Sequence, residues 1–145
     1  MKITIIDPSP GEEEEIIIKC HTVTDDINQL IWKLKHRDAR LAGYDANGIC
    51  LLEANDVYYF ETIDSRVFAY CKKDVYEVKE KLYRLEELFG ASSFMRASKS
   101  MILNLDKIKH LSPAFGGRLE ALLINGEKVI ISRQYVPVLK ERLGL

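Results

Sequence analysis

Long apolar runs are missing from this 145-residue chain: none approaches the roughly 20 residues needed to cross a bilayer, and no signal-peptide pattern follows Met1. A cytosolic protein is the expectation. Cysteine is scarce, and Cys20, Cys50 and Cys71 are odd in number and widely spaced, which argues against a disulfide framework. They read as small buried hydrophobes in a reducing compartment. Histidine is equally thin, and His21, His36 and His110 share no metal-ligand spacing with the cysteines. There is no glycine-rich phosphate loop and no nucleophile elbow. Ser98-Lys99-Ser100 sets a serine beside a lysine, but adjacent side chains seldom face each other and no third partner is evident. Acid pairs such as Glu86/Glu87 fall on the exposed face of a helix. Enzyme chemistry, a metal, a cofactor and a small-molecule substrate are therefore not expected.

A net charge of only −1 also leaves the chain without the overall basic excess of many polyanion binders. The distribution is less even. From Arg96 onward nine Lys/Arg face four acids, a local balance of +5, while the remainder holds twelve basic and eighteen acidic residues, or −6. Such asymmetry points to a polyanion partner better than the total does.

At this length one domain, with a small appendage, is expected. Ile3–Ile6 and Ile16–Ile18 are β-branched runs separated by Pro8, Pro10, Gly11 and the acidic stretch Glu12–Glu15, and they predict two short strands. A helix follows. Thr24 suits its N-cap, Asp25 and Asp26 suit its positive end, and Ile27, Leu30, Ile31 and Leu34 form one apolar stripe with Trp32 beside it. Lys33, Lys35, Arg37 and Arg40 complement the opposite end of the dipole. This β-β-α segment, residues 1–42, is too small to be stable alone, so it must dock on the rest of the chain or pair with a second copy; pairing is the preferred expectation.

From about Leu41 the texture turns to β. Asp45–Gly48 predicts a turn before Ile49–Leu52. Val57–Phe60 and Val67–Tyr70 predict a hairpin with Thr62, Asp64, Ser65 and Arg66 at its tip, and Lys72–Asp74 predicts another turn before Val75-Tyr76. A second helix is expected over Val78–Phe89, with Val78, Leu82, Leu85 and Phe89 on one face, i,i+4 pairs Glu77/Lys81 and Glu80/Arg84, and Gly90 as the stop. Gly116-Gly117 separates a strand ending near Phe115 from Leu119–Ile124, and Asn125-Gly126 leads to Val129–Ser132. Gln134–Leu143 predicts a final helix capped by Ser132, with Pro137 in its first turn and Val136, Leu139 and Leu143 buried.

One stretch stands out. In Phe94–Ile108 a cationic, hydroxyl-rich patch (Arg96, Ser98, Lys99, Ser100) runs directly into the apolar anchor Met101, Ile102, Leu103, Leu105 and Ile108. A solvated turn between buried segments would look the same. Held in a fixed pose, however, these groups suit an anion such as a phosphate backbone. Arg133, at a strand-to-helix junction beside Ser132 and Gln134, can project its fork into a groove toward guanine N7 and O6. Arg66 at a hairpin tip is similar, although charges at loop tips mostly serve solvation.

These residues together resemble the LytTR (LytR/AlgR-type) DNA-binding domain of bacterial transcription regulators, over residues 43–145. The marks are Asp56-Val57-Tyr58-Tyr59-Phe60-Glu61, then Phe94-Met95-Arg96-Ala97-Ser98-Lys99-Ser100 leading to Ile102-Leu103-Asn104-Leu105, and Asn125-Gly126 followed by Ile131-Ser132-Arg133. The resemblance implies an α+β, mainly β fold: an elongated core of three small β-sheets with short helices. It implies loops that enter two successive major grooves of double-stranded DNA and touch the backbone between them. By position the reading loops are Asp64-Ser65-Arg66, Arg96–Ser100 with Lys99 at its tip, and Arg133 with Gln134. Asn104 fits the motif as a residue that fixes backbone geometry. Only about 42 residues precede the match, too few for a phosphoacceptor receiver domain. The chain thus looks like the short free-standing regulators of the family, some of which resemble partners of a small membrane protein. The expectation is a homodimeric, sequence-specific regulator. The alternative is a β-rich protein-interaction module whose basic end meets an acidic partner.

Overall fold

The computed structural model describes residues 1–35, 40–90 and 92–145. Period-two alternation governs the chain from residue 40 onward, and ten strands result: β1 (Arg40–Asp45), β2 (Gly48–Glu53), β3 (Tyr59–Ile63), β4 (Arg66–Tyr70), β5 (Val75–Val78), β6 (Phe94–Ser98), β7 (Met101–Asn104), β8 (Ile108–Pro113), β9 (Leu119–Leu123) and β10 (Lys128–Ile131). Among the described residues three helices accompany them, α1 (Asp25–Lys35), α2 (Leu82–Phe89) and α3 (Val136–Leu143). Among the described residues no helix is long and apolar enough to cross a membrane.

The strands are antiparallel throughout and collect in two sheets, where three were expected. One is seven-stranded, in the order β2-β1-β5-β4-β3-β7-β6, and the other is β10-β9-β8. The merger has a simple cause. β3 ladders with β4 on one side and β7 on the other, while β1 joins β5 through the single pair Tyr44↔Glu77. Gly43 permits that narrow joint, because a Cβ there would lie 2.7 Å from Leu52 Cδ1 and 2.8 Å from Tyr76 Cβ.

Alternation then gives the large sheet two apolar faces. Phe60, Ala69, Val78, Phe94 and Ile102 pack with Leu82, Leu85 and Phe89 of α2. On the other face Tyr59, Met95, Ala97, Met101 and Leu103 meet Ala121, Leu123, Val129 and Ile131 of the small sheet and Leu139 of α3. The large sheet is therefore clamped between a helix and a second sheet, an arrangement that buries both of its sides.

Several expectations change. Ile3–Ile6 and Ile16–Ile18 form no strand: residues 1–24 hold one turn, closed by Glu12 N–H to Ser9 O at 3.0 Å, and all but Ile18 are exposed. A β-branched run gains little from extension when no edge lies alongside to pair with it. α1 forms as expected, with Thr24 Oγ1 accepting from Ile27 N–H at 3.4 Å, but Leu30 and Leu34 of its stripe stay exposed. Trp32 is its anchor: the indole N–H donates to Leu88 O at 3.0 Å and the ring lies 5.6 Å from Phe89. Arg37 lies outside the described residues.

The second helix begins at Leu82 because Val75–Val78 ladders with β4, which overrides the helical spacing of Val78 and the Glu77/Lys81 and Glu80/Arg84 pairs. The strand expected to end near Phe115 stops at Pro113. At the C-terminus a 3-10 turn, Arg133–Tyr135, precedes α3, and Ser132 contributes its backbone carbonyl to Tyr135 N–H in place of a side-chain cap. Leu143 stays exposed while Arg142 turns inward, donating to Phe94 O at 2.8 Å and Ser92 O at 2.5 Å. Burial lowers the guanidinium pKa of Arg142. Cys20 is exposed; Cys50 and Cys71 are half-buried, and burial pushes the Cys71 thiol up to about 11.

Candidate nucleic-acid interface

Three turns meet at one end of the molecule, and the strand registers dictate it. β3 and β4 close on Ile63↔Arg66, leaving Asp64 and Ser65 as a two-residue turn. Both have positive φ, 50° and 65°, the backbone of a type I′ hairpin, whose twist matches that of its strands. β6 and β7 close one strand away on Ser98↔Met101, with Lys99 and Ser100 at the tip. Because β3 runs antiparallel to β7, its end meets this second turn, and Thr62 N–H donates to Ser100 O at 2.8 Å. The third element is pinned to the same hairpin: Ser132 N–H donates to Ala97 O at 2.8 Å, so β10 leaves the small sheet beside β6. Ser98, Lys99, Ser100, Ser132, Arg133 and Gln134 then line one open concavity of about 610 Å³.

Within this end the polar groups divide into two sets. Ser65, Lys99, Arg133 and Gln134 are exposed. Neither the Lys99 ammonium nor the Arg133 guanidinium has a hydrogen-bond or ion-pair partner among the described residues. Ser98 and Ser100 are half-buried, with Ser98 Oγ accepting from Ser100 N–H at 3.2 Å, which tightens the turn.

The other two arginines are occupied. Arg96 is only 19% exposed in its side chain, and it donates from Nε to Glu86 at 2.6 Å and from an NH group to the Lys99 carbonyl at 2.8 Å. Arg66 donates to Glu77 from Nε at 2.8 Å and sits 5.3 Å from the centre of the Phe68 ring. Its hydrogen bond, followed by that of Lys79, holds the Glu77 carboxyl below its ordinary value. Neither pairing is visible in the sequence, since the acids lie ten and eleven residues away.

Asn104, fully buried, is a backbone organiser. Its Nδ2 donates to Val57 O at 2.9 Å, while Oδ1 accepts from Asp106 N–H at 3.1 Å and Ser93 Oγ at 2.9 Å. Gly117 is the residue that sequence reasoning missed here. At φ 77° it forms a bed for Arg133, whose Cγ and Cδ would each lie 3.3 Å from a Cβ placed on it. The Gly116-Gly117 pair signalled the turn, but only the fold reveals what rests on it. Tyr58, Tyr59 and Phe60 are buried and Phe68 and Tyr70 half-buried, so the strands present no aromatic platform of the kind that stacks single-stranded bases.

Comparison with known proteins places the chain in a family. The sensory transduction protein LytT of Enterococcus faecalis is 34% identical over 97 residues, which cover 67% of this chain and 40% of that protein, so the chain spans well under two thirds of that relative. A Staphylococcus aureus protein named as an HTH-type transcriptional regulator is 28% identical over 147 residues, covering 100% of this chain and 99% of its own length. Among solved structures, the LytTr DNA-binding domain of a methyl-accepting/DNA response regulator from Bacillus cereus has a TM-score of 0.69 at 24% identity, over 73% of this chain and 97% of that one, and shares the fold. Residues 47–144 match the family model of the LytTr DNA-binding domain, and the chain belongs to the LytTR family.

Proposed function

We propose that this protein is a transcription regulator that reads double-stranded DNA sequence-specifically through the end of the molecule where the three turns meet. The observation that carries the reading is the convergence of Ser65, Lys99 and Arg133 on that end, with both cations unpaired among the described residues. Ser65 and Lys99 sit on adjacent hairpins and Arg133 leaves the small sheet beside them, a spread that suits two successive major grooves with backbone contacts between. Arg133 and Gln134 present donors to base edges, Arg133 toward guanine. Lys99, Ser98 and Ser100 offer one ammonium and two hydroxyls to phosphate. Arg66 and Arg96 stay part of the interface as braces that fix the turns through Glu77, Glu86 and the Lys99 carbonyl.

Footprinting on the DNA upstream of the protein's own coding region, with salt-titrated gel shifts on the protected duplex, tests this. Protection of a discrete site, lost when Lys99 and Arg133 are both replaced by alanine, is expected. Equal affinity in the parent and the double variant would overturn the assignment.

A homodimer is part of the same proposal. Ile3, Ile5, Ile6, Ile16 and Ile17 are 67–92% exposed, and Leu30 and Leu34 add to the apolar surface of residues 1–42. Pairing of that segment between two copies would hide it and set the spacing of two half-sites. Sedimentation equilibrium of the full chain and of a version lacking residues 1–40 decides: a truncated protein that still dimerises removes this role from the segment. A small membrane protein that engages the same segment is a further proposed partner, tested by co-purification from membranes.

A further inference from the structure

Phe115 is the anomaly of this surface. Its side chain is 90% exposed; Tyr83, at 57%, is the one other exposed aromatic among the described residues and lies outward on α2. A ring of that size in water contributes nothing to the core, yet the turn that carries it is built with care. Ala114 N–H donates to Arg118 O at 2.9 Å and Arg118 Nε donates back to Phe115 O at 2.8 Å. Gly116 and Gly117, both at φ 77°, make the sharp reversal between.

The turn also lies at the DNA-facing end. Pro113↔Leu119 closes β8 onto β9, and Leu119 pairs with Ile131, the last residue of β10 before Arg133. The Arg133 stem rests on Gly117. The strand order β10-β9-β8 puts Phe115, at the β8 end of its turn, farther from Lys99 than Arg133 is, with the exposed cations Arg118 and Arg133 on the β9 and β10 side of the ring.

We propose that Phe115 is a fourth DNA contact: an apolar wedge that enters the minor groove flanking the groove taken by Arg133 and partly unstacks one base step there. Apolar side chains used in this way kink the duplex by roughly 20–90°, and they favour pyrimidine–purine steps because those unstack most easily. The arrangement supplies what a wedge requires, namely a turn closed by two hydrogen bonds, a bare ring and two exposed cations beside it to hold the phosphate backbone. It would give the protein sequence preference at flanking positions that no hydrogen-bonding side chain reaches.

The inference rests on the DNA-binding reading above, and the test separates the two. Phe115→Ala and Phe115→Leu, in the full chain, are assayed on the footprinted duplex with 2-aminopurine placed at each flanking step in turn, and by circular-permutation gel shift for bending. Both variants should melt with the parent, since the ring touches no core. The parent should raise 2-aminopurine emission at one flanking step and bend the duplex. Phe115→Ala should lose the emission change, straighten the DNA and bind about tenfold more weakly; Phe115→Leu should keep part of all three. A Phe115→Ala variant that binds, bends and unstacks as the parent does overturns the wedge and leaves the regulator reading intact. A parent that binds no duplex at all overturns both.

Discussion

Replacing Arg96 by alanine asks whether this guanidinium acts on DNA directly or through the Lys99 turn. Two bonds vanish, to Glu86 at 2.6 Å and to the Lys99 carbonyl at 2.8 Å. The Glu86 side chain is 48% exposed against 19% for Arg96, so solvent screens the ion pair and places it in the range of about 0.2–1 kcal/mol. The carbonyl bond, from a charged and mostly buried donor, contributes about 1–1.5 kcal/mol. The loss of stability is then about 1.2–2.5 kcal/mol, roughly a 0.6–1.2 M fall in urea midpoint at an m-value near 2 kcal/mol/M. The DNA readout is the slope of log K against log salt. A residue that only positions the turn lowers affinity and leaves the slope unchanged, whereas each lost phosphate contact flattens it by about 0.9. Arg96→Ala should therefore bind more weakly on every sequence with the parental slope, and Lys99→Ala should lose about 0.9. An Arg96→Ala variant with an unchanged urea midpoint and a slope flattened by that amount would falsify the brace.

Other outcomes follow from the same geometry. Arg133→Ala should cost about 1–3 kcal/mol of specific binding and relax preference at one base pair, read by competition among operator variants; uniform weakening on all of them would make Arg133 a backbone contact. Asn104→Ala strands the buried Val57 carbonyl and removes the partner of the Asp106 N–H, and should cost about 1–3 kcal/mol in denaturant titration, with fully soluble, folded protein of parental stability as the refuting result. Glu77 has a lowered folded-state pKa, so its stabilising contribution is fully present above its ordinary value of 4.5 and is lost as pH falls through the lowered one. Glu77→Gln should flatten stability against pH in that acid window, and identical acid limbs in thermal melts would remove Glu77 from the account.

What the sequence made legible was local. The turns at Asp45–Gly48, Asp64-Ser65 and Asn125-Gly126, the junction at Arg133 and the anchor behind Lys99 all follow from turn chemistry and period-two alternation, and the fold places each close to expectation. Long-range pairing was not legible. Val75–Val78 carries a helical charge pattern, and only its register with β4 makes it a strand. Ile3–Ile6 and Ile16–Ile18 have strand composition without a neighbour among the described residues to ladder with. The forks of Arg66 and Arg96 look free in sequence because their acids arrive on other elements, and the bed that Gly117 makes for Arg133 depends on two turns separated by β9 and β10.

The Asp64-Ser65 turn carries one more implication. Two L-residues hold left-handed backbone there, while the same chain puts glycine at the left-handed position of its Asn125-Gly126 turn, on the far end of the small sheet. Comfort alone would favour Asn-Gly at both places. Ser65→Gly should thus yield a sturdier molecule that recognises its operator less well, which would mean that this protein is kept slightly less stable than it could be at the point where it meets its target.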